Sequence, residues 1–276
     1  MKLEFKTFSI ASISLWLSVF ALLPLLMVCY TSLLSSAGHL TIANYAAAIE
    51  PLYLHIFFRS FYLAGIATAL CLLLAFPFAL ALSKVSNRYR SLLLLLIFIP
   101  FWTSSLVRTY AMVAILKSKG IINSLLLALG LIHQPLQLLF TNFAVVIGLT
   151  YNLLPFMIMP IYTSLIRIDE DILNAAKELG ASDSLLLRKI IIPLSMPGII
   201  SGCILVFLPA MTLFYIPNIL GGAKSMMLGN LIQNQFLQAQ NWPLGSALSV
   251  CLGMVMLMML LIYWCTTLSK RREAMQ

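Results

Sequence analysis

Charge is what this 276-residue sequence has least of. Only 9% of its residues are charged and only eight are acidic, against roughly one-quarter charged in soluble domains. No carboxylate falls inside a long apolar run, which excludes a proton relay built on buried acids. No phosphate-cradling glycine loop, nucleophile elbow or HExxH is present, so the chain carries no catalytic machinery of its own. The five cysteines (Cys29, Cys71, Cys203, Cys251 and Cys265) fall in apolar runs without metal-ligand spacing. They read as small apolar residues of membrane helices. His39, His55 and His133 are far apart in sequence and form no ligand set. The alternating periodicity of a β-barrel is also missing.

What is abundant is hydrocarbon. The sequence is 62% hydrophobic, with a mean hydropathy of +1.02. Six runs approach or exceed the roughly 20 helical residues that cross a bilayer: Phe8 to Leu34, Phe61 to Ser83, Leu92 to Leu116, Phe143 to Leu165, Met196 to Ile219 and Gly245 to Leu268. Each must be helical, because backbone amides in hydrocarbon have to be satisfied within the segment. The fold class is therefore all-α and polytopic, with one membrane domain over residues 1–276 and no separable soluble part. The first run is too long, and lacks a small-residue cleavage site, to be a removable signal; it reads as a permanent anchor.

Basic residues set the orientation. With the N-terminus inside, one side carries Lys2, Lys6, Lys84, Arg88, Arg90, Arg167, Lys177, Arg188, Lys189, Lys270, Arg271 and Arg272. The other carries Arg59, Lys117, Lys119 and Lys224, and Arg108 falls within a run. Twelve against four predicts cytoplasmic termini. The net charge of +9 is then a topology signal. A nucleic-acid site would need a soluble basic face with stacking aromatics, and none is found. The outer connections, Ser35 to Ser60, Lys117 to Asn142 and Leu220 to Leu244, are predicted as long loops able to meet a partner or a solute.

One inner connection is unusual. Five of the eight acids (Asp169, Glu170, Asp171, Glu178 and Asp183) cluster at "DEDILNAAKELGASDSLLLRKIIIP". Asp169 is a good N-cap, with Glu170 and Asp171 at the positive helix end. Gly180 suits the left-handed position that ends a helix. Ser182 or Asp183 is placed to cap a second short helix, and Pro193 and Pro197 to mark re-entry into the membrane. The small residues Ala175 and Ala176 permit close approach by another protein, with charges forming a polar rim. A connector lying on the headgroups is the other reading of this segment.

Ala175-Ala176-x3-Gly180-x9-Ile190-x-Ile192-Pro193 resembles the EAA loop of binding-protein-dependent ABC importer permeases. In that family the loop is the coupling helix that docks on an ATP-binding subunit. The resemblance assigns this role to Asn174, Ala175, Ala176, Glu178, Gly180, Ile190 and Pro193. Two positions depart from the pattern: Asn174 stands for the usual Glu, with Glu178 one turn on, and Ile192 for Leu. The stretches "IPFWTSSLVRTYA", "GLTYNLLPFMIMPIYTSL", "PLSMPGIISG", "LPAMTLFYIPNILGGAK" and "QNWPLGSA" are similar to spermidine/putrescine importer permeases of the PotB type. The resemblance covers nearly the whole chain. It implies a six-helix type I importer permease (MetI-like) fold in a bacterial inner membrane. It also implies a PotC-like second permease, a pair of PotA-like ATPases holding the ATP and Mg, and a PotD-like substrate-binding protein.

A polyamine path needs aromatic faces and oxygen acceptors. The candidates are Trp102, Tyr110, Tyr151, Asn152, Phe214, Tyr215, Asn218 and Trp242, beside the ordinary reading of Trp and Tyr as interfacial belt residues. Pro100, Pro155, Pro160, Pro209 and Pro217 are placed either to break helices and free carbonyls or to make ordinary kinks. Arg108 is expected to snorkel or to pair with helix-end carbonyls. The resemblance places Asp where this chain has Asn218 and Asn241, so import of a different small solute by the same architecture stays open. A secondary carrier or scaffold is disfavoured by the loop spacing.

Overall fold

The computed structural model describes residue 10, residues 12–35 and residues 38–273. Lys2, Lys6 and the start of the first expected span at Phe8 lie outside the described residues. All regular elements among those residues are helical: α1 Ser12–Ser32, α2 Ala43–Ala48, α3 Pro51–Lys84, α4 Asn87–Phe98, α5 Ser105–Leu116, α6 Ile121–Ala128, α7 Asn142–Leu165, α8 Glu170–Glu178, α9 Asp183–Thr212, α10 Leu228–Leu237 and α11 Trp242–Glu273. Six of the described helices are long and apolar enough to cross a membrane.

Several expected boundaries move. The loop predicted before Phe61 contains α2, and α3 already starts at Pro51, a residue pre-organised for the first turn. The loops predicted at 117–142 and 220–244 contain α6 and α10. The third expected span is broken: α4 gives way to a tight 3-10 turn over Ile99–Trp102 and extended backbone before α5 starts. Pro100 lies at this break, where its missing N–H removes a helical bond. By length and apolarity the stretch that qualifies there is Ser105–Ala128. Pro155, Pro160 and Pro209 sit inside continuous helices, so of the five prolines only Pro100 and Pro217 stand at breaks.

Re-entry after the acidic connection also differs from expectation. Instead of a short helix followed by a new one, α9 is a single rod from Asp183 to Thr212. It passes Pro193 through a π-turn over Leu187–Ile191, in which Ile192 N–H reaches back five residues to the Leu187 carbonyl. A proline ring would strike the carbonyl four residues earlier, here that of Lys189, and the wider turn carries that carbonyl aside. The same device precedes Pro24 in α1, where the π-turn covers Ser18–Leu22.

The residues form two compact units. The smaller contains the chain before Ile56 together with Leu231–Thr266, and the larger contains Ile56–Asn230. In the smaller, Thr31 Oγ1 on α1 meets Ser246 Oγ on α11 at 2.7 Å. The Asn44 amide donates to the Ser32 and Leu34 carbonyls at 2.9 and 2.7 Å, closing the end of α1.

In the larger unit the core is the α7–α9 contact. Val145, Leu149, Leu153, Met157 and Ile161 of α7 are buried. The helix packs against α9, whose buried residues include the small-residue stripe Ser195, Gly198, Gly202, Val206 and Ala210. A Cβ at Gly198 would meet the Pro160 carbonyl and, at 2.5 Å, Ser164 Cβ; one at Gly202 would meet Met157 Sδ at 2.7 Å. The G-x-x-x-G spacing thus lets two backbones touch, the contact that holds helices together where lipid is as apolar as leucine. A second small stripe on α3 (Ala64, Ala67, Cys71, Ala75, Ala79) is also buried, and Cys71 Sγ donates to the Thr150 carbonyl of α7 at 3.6 Å.

Candidate functional site

The acidic connection forms α8, and its ends match the sequence expectation. Asp169 Oδ1 accepts the Asp171 N–H at 3.1 Å, and Glu170 and Asp171 fill the first turn. At the other end Gly180 has φ +83°. Its N–H reaches the Lys177 carbonyl at 2.9 Å, while Ala181 N–H reaches Ala176 at 3.0 Å. This paired closure is the Schellman motif, which needs a left-handed residue at that point. Ser182 stands at the N-cap of α9 without a capping bond; its hydroxyl lies 3.2 Å from that of Ser184.

The helical period divides α8 into two faces. Leu173 and Ala176 are half-buried, and Leu173 overhangs a cavity of about 340 Å³ bordered by Leu80, Arg90, Leu165 and Ile191. Ile172, Ala175 and Leu179, three and four residues apart, point outward; Leu179 is 90% exposed. Asn174, Glu178 and Gly180 are exposed around them. An apolar row with a polar rim, carried outside the spans, has the composition of a docking face. Ile190 is half-buried and Pro193 exposed on α9. The adjoining loop is fixed by Arg90, whose guanidinium donates to the Ser83 and Val85 carbonyls at 2.8 and 3.1 Å. Sequence reasoning passed over Leu179, although a leucine beside the helix-ending glycine was a visible signal.

Within the spans, polar side chains meet where α4 breaks. Asn152 is only 4% exposed. Its Oδ1 accepts the Ser105 hydroxyl at 2.7 Å, and its amide donates to the Gly148 carbonyl at 2.9 Å. Tyr215 lies 2.6 Å from the same Ser105 oxygen. Since one hydroxyl donates only once, Tyr215 is the donor in that pair. Ser105, the first residue of α5, is therefore the centre of the cluster, a role that one serine among many does not announce in sequence.

Beside this cluster the Arg108 guanidinium stacks 4.2 Å from the Phe101 ring centre and 5.9 Å from that of Tyr151. It makes no bond to helix-end carbonyls, one of the two arrangements expected of it: its Nε and Nη1 are buried without an acceptor. Asn218 is exposed on a π-turn over Pro217–Gly221. Asn230 organises this region, its amide donating to the Phe214 carbonyl at 2.5 Å and to Asn218 Oδ1 at 2.6 Å. Asn230 lay in a predicted loop and was missed. Phe214 packs edge-on to Tyr215. Trp102 and Tyr110 are 83% and 61% exposed, as for residues that face lipid or another subunit. Trp242 belongs to the smaller unit, where it packs edge-on against Phe236 at 5.4 Å.

This arrangement has known counterparts. A family model described as the binding-protein-dependent transport system inner membrane component matches residues 72–274. The spermidine/putrescine transport system permease protein PotB of Salmonella typhimurium (strain SL1344) is 47% identical over 267 residues, covering 95% of this chain and 93% of that protein. PotB of Escherichia coli (strain K12) is 48% identical over 255 residues, covering 90% and 93%. Both are transport components rather than enzymes. Among solved structures, a bacterial ABC transporter involved in the import of the acidic polysaccharide alginate superposes with a TM-score of 0.80 at 15% identity, over 98% of this chain and 96% of that one. That likeness establishes the ABC importer permease fold. The chain belongs to the family of binding-protein-dependent transport system inner membrane components.

Proposed function

We propose that this chain is the PotB-type permease subunit of a polyamine ABC importer of the bacterial inner membrane. The observation that carries the reading is 47% identity to a spermidine/putrescine permease over 95% of the chain. Residues 1–276 act as one permease domain with both termini cytoplasmic. A PotC-like permease completes the pathway, a PotA-like ATPase pair supplies ATP and Mg from below, and a PotD-like protein delivers substrate from outside.

In this reading α8 is the coupling helix. Its outward row Ile172, Ala175 and Leu179 seats in the ATPase, and Asn174, Glu178 and Gly180 form the rim. ATP binding closes the ATPase dimer, moves α8 and switches the pathway between inward- and outward-facing states. Protonated amines pass aromatic faces and oxygen acceptors near Tyr151, Asn152, Phe214, Tyr215 and Asn218, with Trp102 and Tyr110 on the same unit as further aromatic faces and Trp242 contributing from the other unit. Each well-placed cation gains about 0.5–2 kcal/mol from an aromatic face.

The test is uptake of labelled spermidine and putrescine by cells lacking their own polyamine importers, after expression of this chain with its three partners. ATP-dependent uptake supports the reading; absence of uptake from a fully assembled complex overturns it. A second reading, import of another small solute, is favoured by the neutral Asn218 and Asn241. Competition of spermidine uptake by neutral or anionic solutes discriminates the two.

A further inference from the structure

We propose that the cavity beneath α8 is a lipid-headgroup site whose occupant is a zwitterionic phosphatidylethanolamine from the adjoining membrane leaflet. This goes beyond the transport reading and does not depend on which solute is carried.

The starting observation is a cavity with charges of both signs on its walls. Its volume of about 340 Å³ falls within the roughly 300–1,000 Å³ of small-molecule sites. All of its walls belong to the larger unit. Lys84 lines it from the end of α3, Arg90 from the start of α4 and Glu170 from the first turn of α8. Among the described residues Glu170 forms no ion pair with either cation, so the opposite charges stand apart around one cavity. Arg90 is fixed in place: its Nη2 donates to the Ser83 and Val85 carbonyls, and its Nε is enclosed without an acceptor. Only Nη1 is left for a ligand.

The position of the cavity points to the membrane. Spanning helix α3 ends at Lys84 and α7 at Leu165, where hydrocarbon gives way to headgroups. Leu80, Leu165, Leu173 and Ile191 make an apolar wall, a surface for the first carbons of an acyl chain. The space opens outward, because Ile166 on its lining is 45% exposed and Lys84 and Glu170 are exposed too. Basic pockets between helices at this level take phospholipid headgroups.

The charges select the headgroup. A phosphate is drawn to Lys84 and Arg90. A purely anionic headgroup leaves Glu170 facing negative charge, and a polyamine meets two like charges. A phosphate followed two carbons later by a primary ammonium satisfies both signs, and the ammonium donates N–H bonds to the Glu170 carboxylate. A choline headgroup carries the same charges but has no N–H to donate. The bound lipid would brace α8 on the side that carries Leu173, away from the outward row of Ile172, Ala175 and Leu179.

The test is native mass spectrometry of the whole chain in detergent. Separate arms add phosphatidylethanolamine, phosphatidylcholine, phosphatidylglycerol and soluble phosphoethanolamine. The chain should retain phosphatidylethanolamine roughly fivefold better than either other lipid, the upper end for one exposed ion pair. Glu170→Gln should erase the preference over phosphatidylcholine, and Lys84→Gln should weaken retention of both. Equal retention of the three lipids by the unaltered chain, or a preference for phosphatidylglycerol, overturns the proposal, and that comparison needs no variant to fold. A preference that survives both substitutions overturns it too, because the lipid then sits elsewhere. If soluble phosphoethanolamine displaces the lipid at equal concentration, the occupant is a free phosphate compound and the lipid assignment fails. No ATPase or binding protein is present in these arms, so their failure leaves the importer reading standing.

Discussion

Ser105 and Tyr215 share a hydrogen bond of 2.6 Å between residues 110 positions apart, and the same serine holds the buried amide of Asn152. Ser105→Ala removes both contacts and leaves Asn152 short of a donor, at a cost of about 1–3 kcal/mol. Tyr215→Phe removes one. The expected outcome is lower thermal stability in detergent for both variants, with Ser105→Ala the worse. Combined, they should depart from additivity by about 0.5–3 kcal/mol. Strictly additive effects on stability and on uptake would show that the three side chains do not act as a unit.

Leu179 tests the docking face. Burying a leucine is worth about 1.5–3 kcal/mol, so Leu179→Ser should weaken retention of the ATPase roughly tenfold or more while the subunit reaches the membrane normally. Ala175→Arg should do the same. Ala176→Arg should act differently, because Ala176 is half-buried and the new side chain disturbs the seat of α8. Gly180→Asp should also uncouple, since its φ of +83° costs a side-chain-bearing residue about 1–2 kcal/mol. Full ATPase retention by Leu179→Ser would remove the outward row from the interface.

Gly198 tests the helix contact. A side chain there meets the Pro160 backbone and Ser164, neither of which is a flexible tip. Gly198→Leu should therefore lose several kcal/mol and fail to accumulate in membranes. Gly202→Ala meets the thioether of Met157, which can turn aside, and the Met157 carbonyl at 3.2 Å, which cannot, and should cost about 1–3 kcal/mol, less than Gly198→Leu. Comparing their unfolding temperatures in one detergent checks the order.

Asn218 tests selectivity. Its Oδ1 accepts from Asn230, a role a carboxylate fills equally well, so Asn218→Asp should fold and assemble. Spermidine uptake should hold steady or rise, and Asn218→Lys should suppress it. A properly assembled Asn218→Asp complex that no longer takes up polyamine would turn attention to a neutral or anionic solute.

What was legible in the sequence is what local physics decides. Hydropathy marked the spans because each run must satisfy its own amides. Asp169 and Gly180 marked the ends of α8 because capping depends on one side chain and one dihedral angle. The break at Pro100 and the continuity through Pro155 and Pro160 were not separable, since all three lose the same hydrogen bond and only tertiary packing decides which helix yields. Leu228 and its neighbours looked like loop because the stretch is short and polar, yet Asn230 ties it to Phe214 and Asn218. Gly198 and Gly202 were quoted only for resemblance; their meaning needs the facing backbone of α7.

The uninterrupted rod of α9 has a mechanical consequence. Thirty residues make a helix of about 45 Å, starting five residues after α8 ends at Glu178 and finishing three residues before Tyr215. If α8 couples to the ATPase as proposed, a continuous helix can carry a push or a twist towards the polar cluster without a relay of side-chain rearrangements. The π-turn before Pro193 and the interior prolines at 197 and 209 are where its hydrogen-bond ladder is weakened, and stiffening the π-turn should alter the timing of the proposed stroke more than its size.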